Sequence, residues 1–193
     1  MQATKRNESD SEREAALLRR VARQDREALS DLYRIYYARL FKFVFRLTSS
    51  YTAAEELVND VMLMVWRKAD SFRGESKVST WIFGIAYRLT MRRVTRKKLQ
   101  LAPLVDIDEQ AAETDASEET ENWVRQGLRS LPAAQHLTVM LVFYLGLSYE
   151  ETAEVTQCPV NTVKTRMYHA RRKLRESLAV SAMPRMTSEN RND

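Results

Sequence analysis

A basic amphipathic stretch near the C-terminus, residues 161–175, constrains the fold of this chain more than any other segment. Apolar side chains recur there every three or four residues, which is the period of one buried helix face. They are Val163, Met167, Ala170, Leu174 and Leu178. The opposite face carries Lys164, Thr165, Tyr168, His169, Arg171, Arg172 and Arg175. A helix with one buried side and one cationic, hydrogen-bonding side suits the major groove of duplex DNA.

The residues before this helix predict a helix-turn-helix. Ser148 and Glu151 form a capping box that opens a short helix, which we expect to end near Gln157. A tight turn at Cys158-Pro159-Val160 leads into the basic helix. The alternative is a basic surface helix on an ordinary all-α domain, which would leave the capping box and the turn without a purpose. For Cys158 we expect a small buried side chain, and a redox switch is the alternative.

The remaining sequence predicts an all-α protein with two small helical domains joined by an acidic flexible linker. The chain has 193 residues with only four glycines and four prolines, and apolar residues recur at helical spacing almost throughout. The first domain spans residues 11–99, the linker 100–121 and the second domain 122–180. Residues 106–121 include many carboxylates and no Lys or Arg. That linker is either a solvated tether or a segment that occupies a basic channel on a partner.

Capping residues and apolar stripes predict the individual helices. In the first domain we expect helices opened by Ser11, Asp25 and Thr52, and a fourth from about Ser79 to Leu99. In the second, a helix around residues 123–131 precedes one that Pro132 begins at its first turn. Gly146 suits the C-terminal cap of that helix. Its inward-facing residues are Leu137, Met140, Leu141 and Tyr144.

Bulk composition limits the function classes. The net charge of +5 and the pI of about 9.4 favour an anionic partner. A single cysteine excludes an internal disulfide and fits a reducing compartment, and no signal peptide or membrane-length apolar run is present, so we expect a cytoplasmic protein without membrane insertion. The two histidines lie on different predicted helices, and there is no metal-ligand cluster or Gly-rich phosphate loop. We therefore expect no enzyme, no metal and no cofactor.

The third predicted helix contains six consecutive apolar residues, 61–66 (Val-Met-Leu-Met-Val-Trp). A helix packed on one side needs only part of its circumference apolar, so this helix either forms the centre of the bundle or exposes an apolar patch. Polar residues show that part of it meets water, namely Glu55, Glu56, Asn59, Asp60 and Arg67. An apolar strip rimmed by acidic groups is typical of a protein-binding surface. Both interpretations remain open from the residues alone.

The fourth predicted helix combines aromatic and cationic side chains. Aromatic faces stack on unpaired bases and cations follow phosphates, so this combination suits single-stranded nucleic acid beside an opened duplex. The residues are Trp81, Phe83, Tyr87, Arg88, Arg92, Arg93, Arg96, Lys97 and Lys98. The alternative for Trp81 and Phe83 is a place in the core. The basic run is harder to explain without an anionic partner, because like charges this dense repel one another.

Together these segments resemble the extracytoplasmic-function (ECF) group of bacterial RNA polymerase sigma factors, from about Val21 to Leu178. In the first domain the likeness rests on residues 54–60 (Ala-Glu-Glu-Leu-Val-Asn-Asp), 65–67 (Val-Trp-Arg), 70–76 (Asp-Ser-Phe-Arg-Gly-Glu-Ser) and 79–83 (Ser-Thr-Trp-Ile-Phe). In the second it rests on residues 130–132 (Ser-Leu-Pro), 146–151 (Gly-Leu-Ser-Tyr-Glu-Glu) and 158–164 (Cys-Pro-Val-Asn-Thr-Val-Lys). The order and spacing of both sets make the resemblance specific.

The resemblance implies a transcription initiation factor whose partners are core RNA polymerase, through its beta-prime clamp helices and beta flap, and promoter DNA, both duplex and melted. The third helix, about 56–69, would bind core polymerase through Glu55, Glu56, Leu57, Asn59, Asp60, Leu63, Met64, Trp66 and Arg67. The acidic linker would run towards the RNA exit path. An anti-sigma factor is a further expected partner, because two binding faces are exposed.

The resemblance also assigns the DNA contacts. The loop and the fourth helix would melt the minus-ten element and capture a flipped base, through Phe72, Arg73, Ser79, Thr80, Trp81, Phe83, Tyr87, Arg88, Arg92, Arg93 and Arg96. The helix-turn-helix would read the minus-thirty-five element through Ser148, Tyr149, Asn161, Thr162, Lys164, Thr165, Arg166, Tyr168, His169, Arg171 and Arg172.

Three positions depart from the family pattern, and one rival class remains. Arg88 stands where Asn is common in the flipped-base pocket, which affects the minus-ten preference. Asn161 replaces a frequent Gly, and His169 replaces a frequent Arg. The rival is a stand-alone helix-turn-helix regulator, which would explain the second domain but leave the acidic-apolar patch and the aromatic-basic helix without a role.

Overall fold

The computed structural model describes residues 2–101, 127–128 and 130–181, and in them all regular secondary structure is helical. The linker, the predicted helix around residues 123–131 and the C-terminal tail lie wholly or mostly outside these residues. The first domain contains α1 (Gln2–Ala22), α2 (Arg26–Thr48), α3 (Tyr51–Lys68), a 3₁₀ turn (Ala69–Ser71) and α4 (Val78–Leu101). The second contains α5 (Ala133–Val139), a π turn (Met140–Tyr144), α6 (Tyr149–Thr156) and α7 (Val160–Ser181). The predicted all-α architecture is confirmed.

Two predicted helix starts in the first domain are wrong. The helix α1 begins at Gln2, so Ser11 lies inside it, because the preceding residues contain no Gly or Pro that would stop a helix. The cap of α3 is Ser50, whose Oγ accepts a hydrogen bond from the Ala53 amide at 3.3 Å, rather than Thr52. Ser49 takes the left-handed conformation (φ 51°) that ends α2, which places the next residue at the start of α3.

The cap predicted at Asp25 is confirmed. Its Oδ1 accepts hydrogen bonds from the amides of Glu27 (3.0 Å) and Ala28 (3.1 Å), while Arg20 donates to Oδ2 at 2.8 Å. The Ala28 amide and the Arg20 guanidinium favour the charged carboxylate and lower the pKa of Asp25. The cap therefore fixes the turn between α1 and α2 with one side chain.

Aromatic rings form the centre of the first domain. Phe83 of α4 meets Tyr36 and Phe43 of α2 edge to face, with ring centroids 6.3 and 5.6 Å apart. All three side chains are fully buried. The Tyr36 hydroxyl donates to Glu14 Oε2 of α1 at 2.6 Å, and burial followed by the charge of Glu14 raises the pKa of Tyr36. The core thus joins α1, α2 and α4 around a protonated phenol.

In the second domain Pro132 is the N-cap of α5 rather than its first residue, and Leu137, Met140 and Leu141 are buried as expected. Tyr144 is not: it is 38% exposed, and the Arg46 guanidinium lies 5.0 Å from its ring centroid. The π turn explains the difference. It holds one more residue than an α-helical turn, so the side chains that follow are rotated away from the inward face. Gly146 follows with φ +70°, which only glycine adopts readily, as its predicted capping role requires.

Candidate nucleic-acid and protein interfaces

The helix-turn-helix is built as the sequence predicts. The Ser148 Oγ accepts from the Glu151 amide at 3.1 Å, and Glu151 Oε2 accepts from the Ser148 amide at 2.7 Å, which completes the capping box of α6. Gln157 ends α6 in the left-handed conformation (φ 54°), and α7 begins three residues later at Val160. A short helix, a tight turn and a longer helix therefore stand in the expected order.

One outward row of α7 carries most of the predicted duplex-reading residues. Val163, Met167 and Ala170 are buried beneath the helix, which turns the opposite face to solvent. The exposed residues on that face are Asn161, Lys164, Thr165, Tyr168, Arg171 and Arg172. Tyr168 is 63% exposed, and its ring meets the partly buried His169 at 5.4 Å. This row of cations and hydrogen-bonding groups can contact phosphates and base edges in a major groove.

The other predicted duplex-reading residues lie at the margins of that row. Arg166 is partly buried, and its Nη1 lies 3.6 Å from the Cys158 Sγ, so it braces the turn from within. Thr162 and Tyr149 are partly buried, whereas Ser148 is exposed at the cap of α6. Cys158 itself is partly buried and within 3.2 Å of the Thr156 hydroxyl, which agrees with the packing role expected for it.

The apolar run of α3 is divided between the core and the surface. Val61, Met62 and Val65 are buried, while Leu63 is 45% exposed and Met64 and Trp66 are partly exposed. Of the two interpretations left open by the sequence, each therefore describes part of the helix. Among the other residues predicted to bind core polymerase, Glu56, Asn59, Asp60 and Arg67 are exposed and Glu55 is partly exposed, but Leu57 lies in the core.

The loop after α3 and the helix α4 present aromatic and cationic side chains together. Phe72 and Trp81 are partly buried and meet edge to face at 5.6 Å. The cations Arg73, Arg88, Arg92, Arg93 and Arg96 are exposed, with Arg93 paired to Glu56 of α3 at 2.7 Å. Ser79 and Tyr87 are partly buried. Thr80 and Phe83 are buried, so the core interpretation holds for Phe83.

Sequence reasoning missed an aromatic row on α2 and the residues that join the two domains. Tyr33, Tyr37, Phe41 and Phe45 stack successively with ring centroids 5.3 to 6.0 Å apart. Their spacing of four residues was a readable signal. Lys77 pairs with Glu151 at 2.9 Å, and no local pattern in the sequence indicates that contact.

The cleft between α1, the loop at residues 72–78 and α6 has a volume of about 580 Å³. Its lining includes Glu12, Glu75, Glu150 and Glu154, against Lys77 as the one cation. The lining is therefore mainly acidic, and a surface of that charge repels phosphate. In the part of the chain that the structure describes, no group of three His, Cys, Asp or Glu side chains is arranged to hold a metal ion, and no helix is long and apolar enough to cross a membrane.

Two helices with exposed cations, one of them in a helix-turn-helix, are the arrangement of a DNA-binding protein. The family model described as Sigma-70 region 2 matches residues 32–100, and the one described as Sigma-70, region 4 matches residues 121–174. The chain belongs to the sigma-70 family of RNA polymerase sigma factors, in its ECF group, as the relatives described next show. It is a transcription initiation factor that directs core RNA polymerase to promoters.

Relatives and solved structures agree with this family. The chain is 34% identical over 163 residues to the ECF RNA polymerase sigma factor SigM of Mycobacterium tuberculosis, covering 83% of this chain and 82% of the relative. It is 27% identical over 180 residues to SigW of Bacillus subtilis, covering 83% of this chain and 94% of the relative. The sigma factor RpoE in its complex with the anti-sigma factor NepR from Bartonella quintana superposes with a TM-score of 0.64 at 28% identity, over 78% of this chain and 96% of that one. Sigma factors are non-catalytic initiation factors.

Proposed function

We propose that three surfaces of this sigma factor divide the work of initiation: α3 holds core polymerase, α4 and its loop open the minus-ten element, and α7 reads the minus-thirty-five element. The observation that carries the proposal is the outward row of α7, since six of its exposed positions offer cations or hydrogen-bonding groups on one face. Initiation by this route requires binding and positioning only, so the chain itself needs no catalytic residue.

The surface proposed for core polymerase is the exposed strip of α3. Leu63, Met64 and Trp66 supply apolar area, and the exposed carboxylates of Glu56 and Asp60 lie beside it. Interfaces of this kind combine an apolar centre with a polar rim, and the rim charges fix the orientation of the partner. The acidic rim suits a basic helical surface such as the beta-prime clamp helices, and the beta flap would be contacted by the second domain.

The surface proposed for the minus-ten element consists of Phe72, Trp81 and the exposed arginines of α4. The two rings supply stacking area for an unpaired base, at about 1–3 kcal/mol per stacked base, and the arginines track the single-stranded backbone. Arg88 takes part with a guanidinium that suits guanine or phosphate, so the base preference differs from that of an amide side chain. Phe83 supports this surface from the core.

The proposed polymerase surface is tested by Asp60→Arg, which reverses one exposed rim charge without touching the core. We expect the affinity of the purified, labelled chain for core RNA polymerase to fall at least about tenfold, because a like charge then faces the basic partner. The matched control is Glu12→Arg, the same change at an exposed position on α1. Equal affinities for Asp60→Arg and the control, with both variants folded, would remove α3 from the polymerase interface.

We further propose an anti-sigma factor as a regulatory partner and the cytoplasm, where the polymerase works, as the location. The support is the similarity to a sigma factor solved with an anti-sigma factor bound. A protein that covers the exposed strip of α3 would compete directly with core polymerase. Competition between such a partner and core polymerase for the labelled chain is the measurement that decides this point.

A further inference from the structure

One glycine of α4 stands at a position where the backbone does not require it. Gly84 lies within a run of buried residues from Ile82 to Ala86, in the middle of the helix. Gly74 and Gly146 have φ of +73° and +70°, which glycine adopts readily, whereas Gly84 has an ordinary helical backbone. Glycine inside a helix is less stable than alanine, because it loses more backbone freedom on folding. The helix α4 therefore carries a residue that lowers its stability.

The space beside Gly84 is occupied by the Arg88 guanidinium, one turn further along the same helix. A Cβ atom at position 84 would have Nη1, Nη2 and Cζ of Arg88 as its three nearest neighbours, at 3.3, 3.8 and 3.9 Å. The shortest of these is tighter than ordinary van der Waals contact, so a side chain would displace the guanidinium. The helix α4 also packs against α2, α3 and α6, yet none of those three nearest atoms belongs to another helix. Glycine at this position therefore makes room for Arg88 rather than for helix packing.

The donors of Arg88 are left available for a ligand. Arg88 is exposed, and among the residues that the structure describes its side chain has no hydrogen bond, ion pair or ring contact. Arg93, further along α4, is instead paired with Glu56 of α3 at 2.7 Å. A guanidinium carries its N–H donors in a planar fork. The Arg88 fork is restrained by the backbone at Gly84 on one side, while its donors stay free.

The Arg88 guanidinium lies on the same face of α4 as Trp81. The two residues are seven positions apart, which is close to two helical turns, and helical side chains point back towards the N-terminus. Gly84, where the guanidinium rests, is only about 4.5 Å along the helix axis from Trp81, at about 1.5 Å per residue. Trp81 itself meets Phe72 edge to face at 5.6 Å. The remaining arginines of α4 follow at least one turn further from these rings, so Arg88 is the one placed beside them.

A base stacked on these rings would present its edge to the Arg88 fork. The rings offer stacking area for an unpaired base, and the hydrogen-bonding groups of a base lie on its edge. Guanine presents two acceptors, O6 and N7, that match two parallel donors of a guanidinium, whereas adenine has a donor in place of O6. The pyrimidines lack such a pair of acceptors. The arrangement thus suits guanine better than the other bases.

We propose that Gly84 is a positioning residue: the space that it leaves holds the Arg88 guanidinium beside Phe72 and Trp81, where Arg88 selects guanine in the unpaired strand of the minus-ten element. This inference rests on the proposed assignment of α4 and its loop to that element. Gly84 itself does not touch the base, so its effect on base selection passes entirely through Arg88.

Base selection by the holoenzyme tests the proposal. The full-length chain bound to core RNA polymerase is titrated with promoter fragments selected by the wild-type holoenzyme, in which each unpaired position of the downstream element carries each base in turn. We expect wild type to bind guanine at one of these positions about tenfold or more tightly than the other bases. With Gly84→Ala the preference should fall to about threefold or less, because the added Cβ displaces the guanidinium. No guanine preference in wild type, or a full preference in Gly84→Ala, would overturn the proposal.

The stability of the same variant should change in the opposite direction. Alanine favours the helix, so the melting temperature of free Gly84→Ala should rise by about 2 °C. A lower melting temperature together with a lost preference would assign Gly84 to folding and overturn its positioning role. The matched control is Gly127→Ala, whose Cβ would lie 3.3 Å from Leu174 Cδ2 in the second domain, the same distance without an arginine. The control should keep the wild-type base preference, and an equal loss in both variants would contradict the proposal.

Variants at Arg88 separate base recognition from phosphate contact. Arg88→Lys keeps the charge but has no planar fork, so the guanine preference should be lost while the dependence of affinity on salt stays the same. In an Arg88→Asn chain, adding Gly84→Ala should change the preference no further, because the shorter side chain does not reach the space beside position 84. A preference retained by Arg88→Lys, or a further shift in the double variant, would contradict the coupling of Gly84 to Arg88.

The same titration reads the proposed function separately. A wild-type holoenzyme that binds the opened fragments no better than the corresponding duplex would remove α4 from the minus-ten element, and this inference with it. Tighter binding to the opened fragments, with no position at which guanine is preferred, would overturn the roles of Gly84 and Arg88 alone.

Discussion

Individual side chains of this sigma factor serve two purposes at once. Glu151 caps α6 with one carboxylate oxygen and meets Lys77 of the first domain with the other. Arg39 lies over the Phe83 ring of its own core and donates to a carbonyl of the second domain. Arg166, by contrast, contacts the Cys158 sulfur in the turn, whereas the other basic residues of α7 extend outward. Residue type alone therefore does not decide which cations reach DNA.

The exposed residues Lys164 and Tyr168 provide the residue-level test of the α7 surface. If these residues contact bases, Lys164→Ala and Tyr168→Ala should each weaken promoter binding by about 1–3 kcal/mol and reduce promoter-specific transcription accordingly. Binding of the chain to core polymerase should stay unchanged. The control is Arg19→Ala, which removes an exposed cation from α1. Loss of core binding in either α7 variant would contradict the assignment of this face of α7 to DNA rather than to polymerase.

At the scale of the helix, α4 changes character along its length. Its first half is enclosed by both domains, and its second half extends exposed arginines beyond them. Arg93 is partly neutralised by Glu56 of α3, and this ion pair links the helix proposed for the minus-ten element to the helix proposed for polymerase. The dense positive charge is consistent with an anionic partner, since the sequence of α4 contains no Asp or Glu to balance it.

Replacing Arg92, Arg93 and Arg96 together by alanine measures how far this half of α4 depends on phosphates. If each arginine contacts one phosphate of the melted strand, the slope of log affinity against log salt should become shallower by about 2, at about 0.7 per contact. The holoenzyme with a melted promoter fragment, titrated over a range of salt concentrations, gives that slope. An unchanged slope with a folded variant would show that these arginines do not neutralise the strand.

Local signals in the sequence predicted some elements and not others. The capping box at Ser148 and the stripe of Val163, Met167 and Ala170 depend on neighbours within one turn, and both are present in the structure. The early start of α1 follows from the lack of any Gly or Pro before Ser11, a signal that the capping pattern at Ser11 obscured. The π turn that exposes Tyr144 departs from the single helical period on which the prediction relied. The Lys77–Glu151 pair joins residues far apart in the chain, so no local sequence pattern predicts it and it becomes evident only in the folded structure.

The molecule as a whole distributes its charge unevenly despite a net charge of only +5. Cations are exposed on α4 and α7, and carboxylates line the cleft between α1, the loop after α3 and α6. If α4 and α7 bind DNA as proposed, this arrangement attracts DNA to those two helices and repels it from the acidic cleft. The junction between the two domains brings His136 of the second domain towards Arg46 of the first.

His136 makes the stability of the packed molecule sensitive to acid. Burial, and secondarily the charge of Arg46, lowers the pKa of His136 below its ordinary value of 6.5. The folded protein therefore favours the neutral imidazole. Stability is therefore fully present above pH 6.5 and is lost as the pH falls towards the lowered pKa, because the unfolded chain takes up the proton first. Between pH 7.5 and about pH 5.5 the melting temperature of His136→Gln should fall less than that of wild type. Parallel pH profiles for the two proteins would contradict this coupling.

The proposal that α4 reads the minus-ten element and α7 the minus-thirty-five element is tested most directly by promoter selection with the reconstituted holoenzyme. Core RNA polymerase with this chain would be presented with duplex DNA of random sequence, and the bound, transcribed fragments would be sequenced. Two enriched elements at a fixed spacing are expected, with the upstream element altered by Lys164→Ala and the downstream element by Arg88→Asn. Enrichment of a single element, or of two elements without a fixed spacing, would contradict the account of α4 and α7 as joint readers of one promoter.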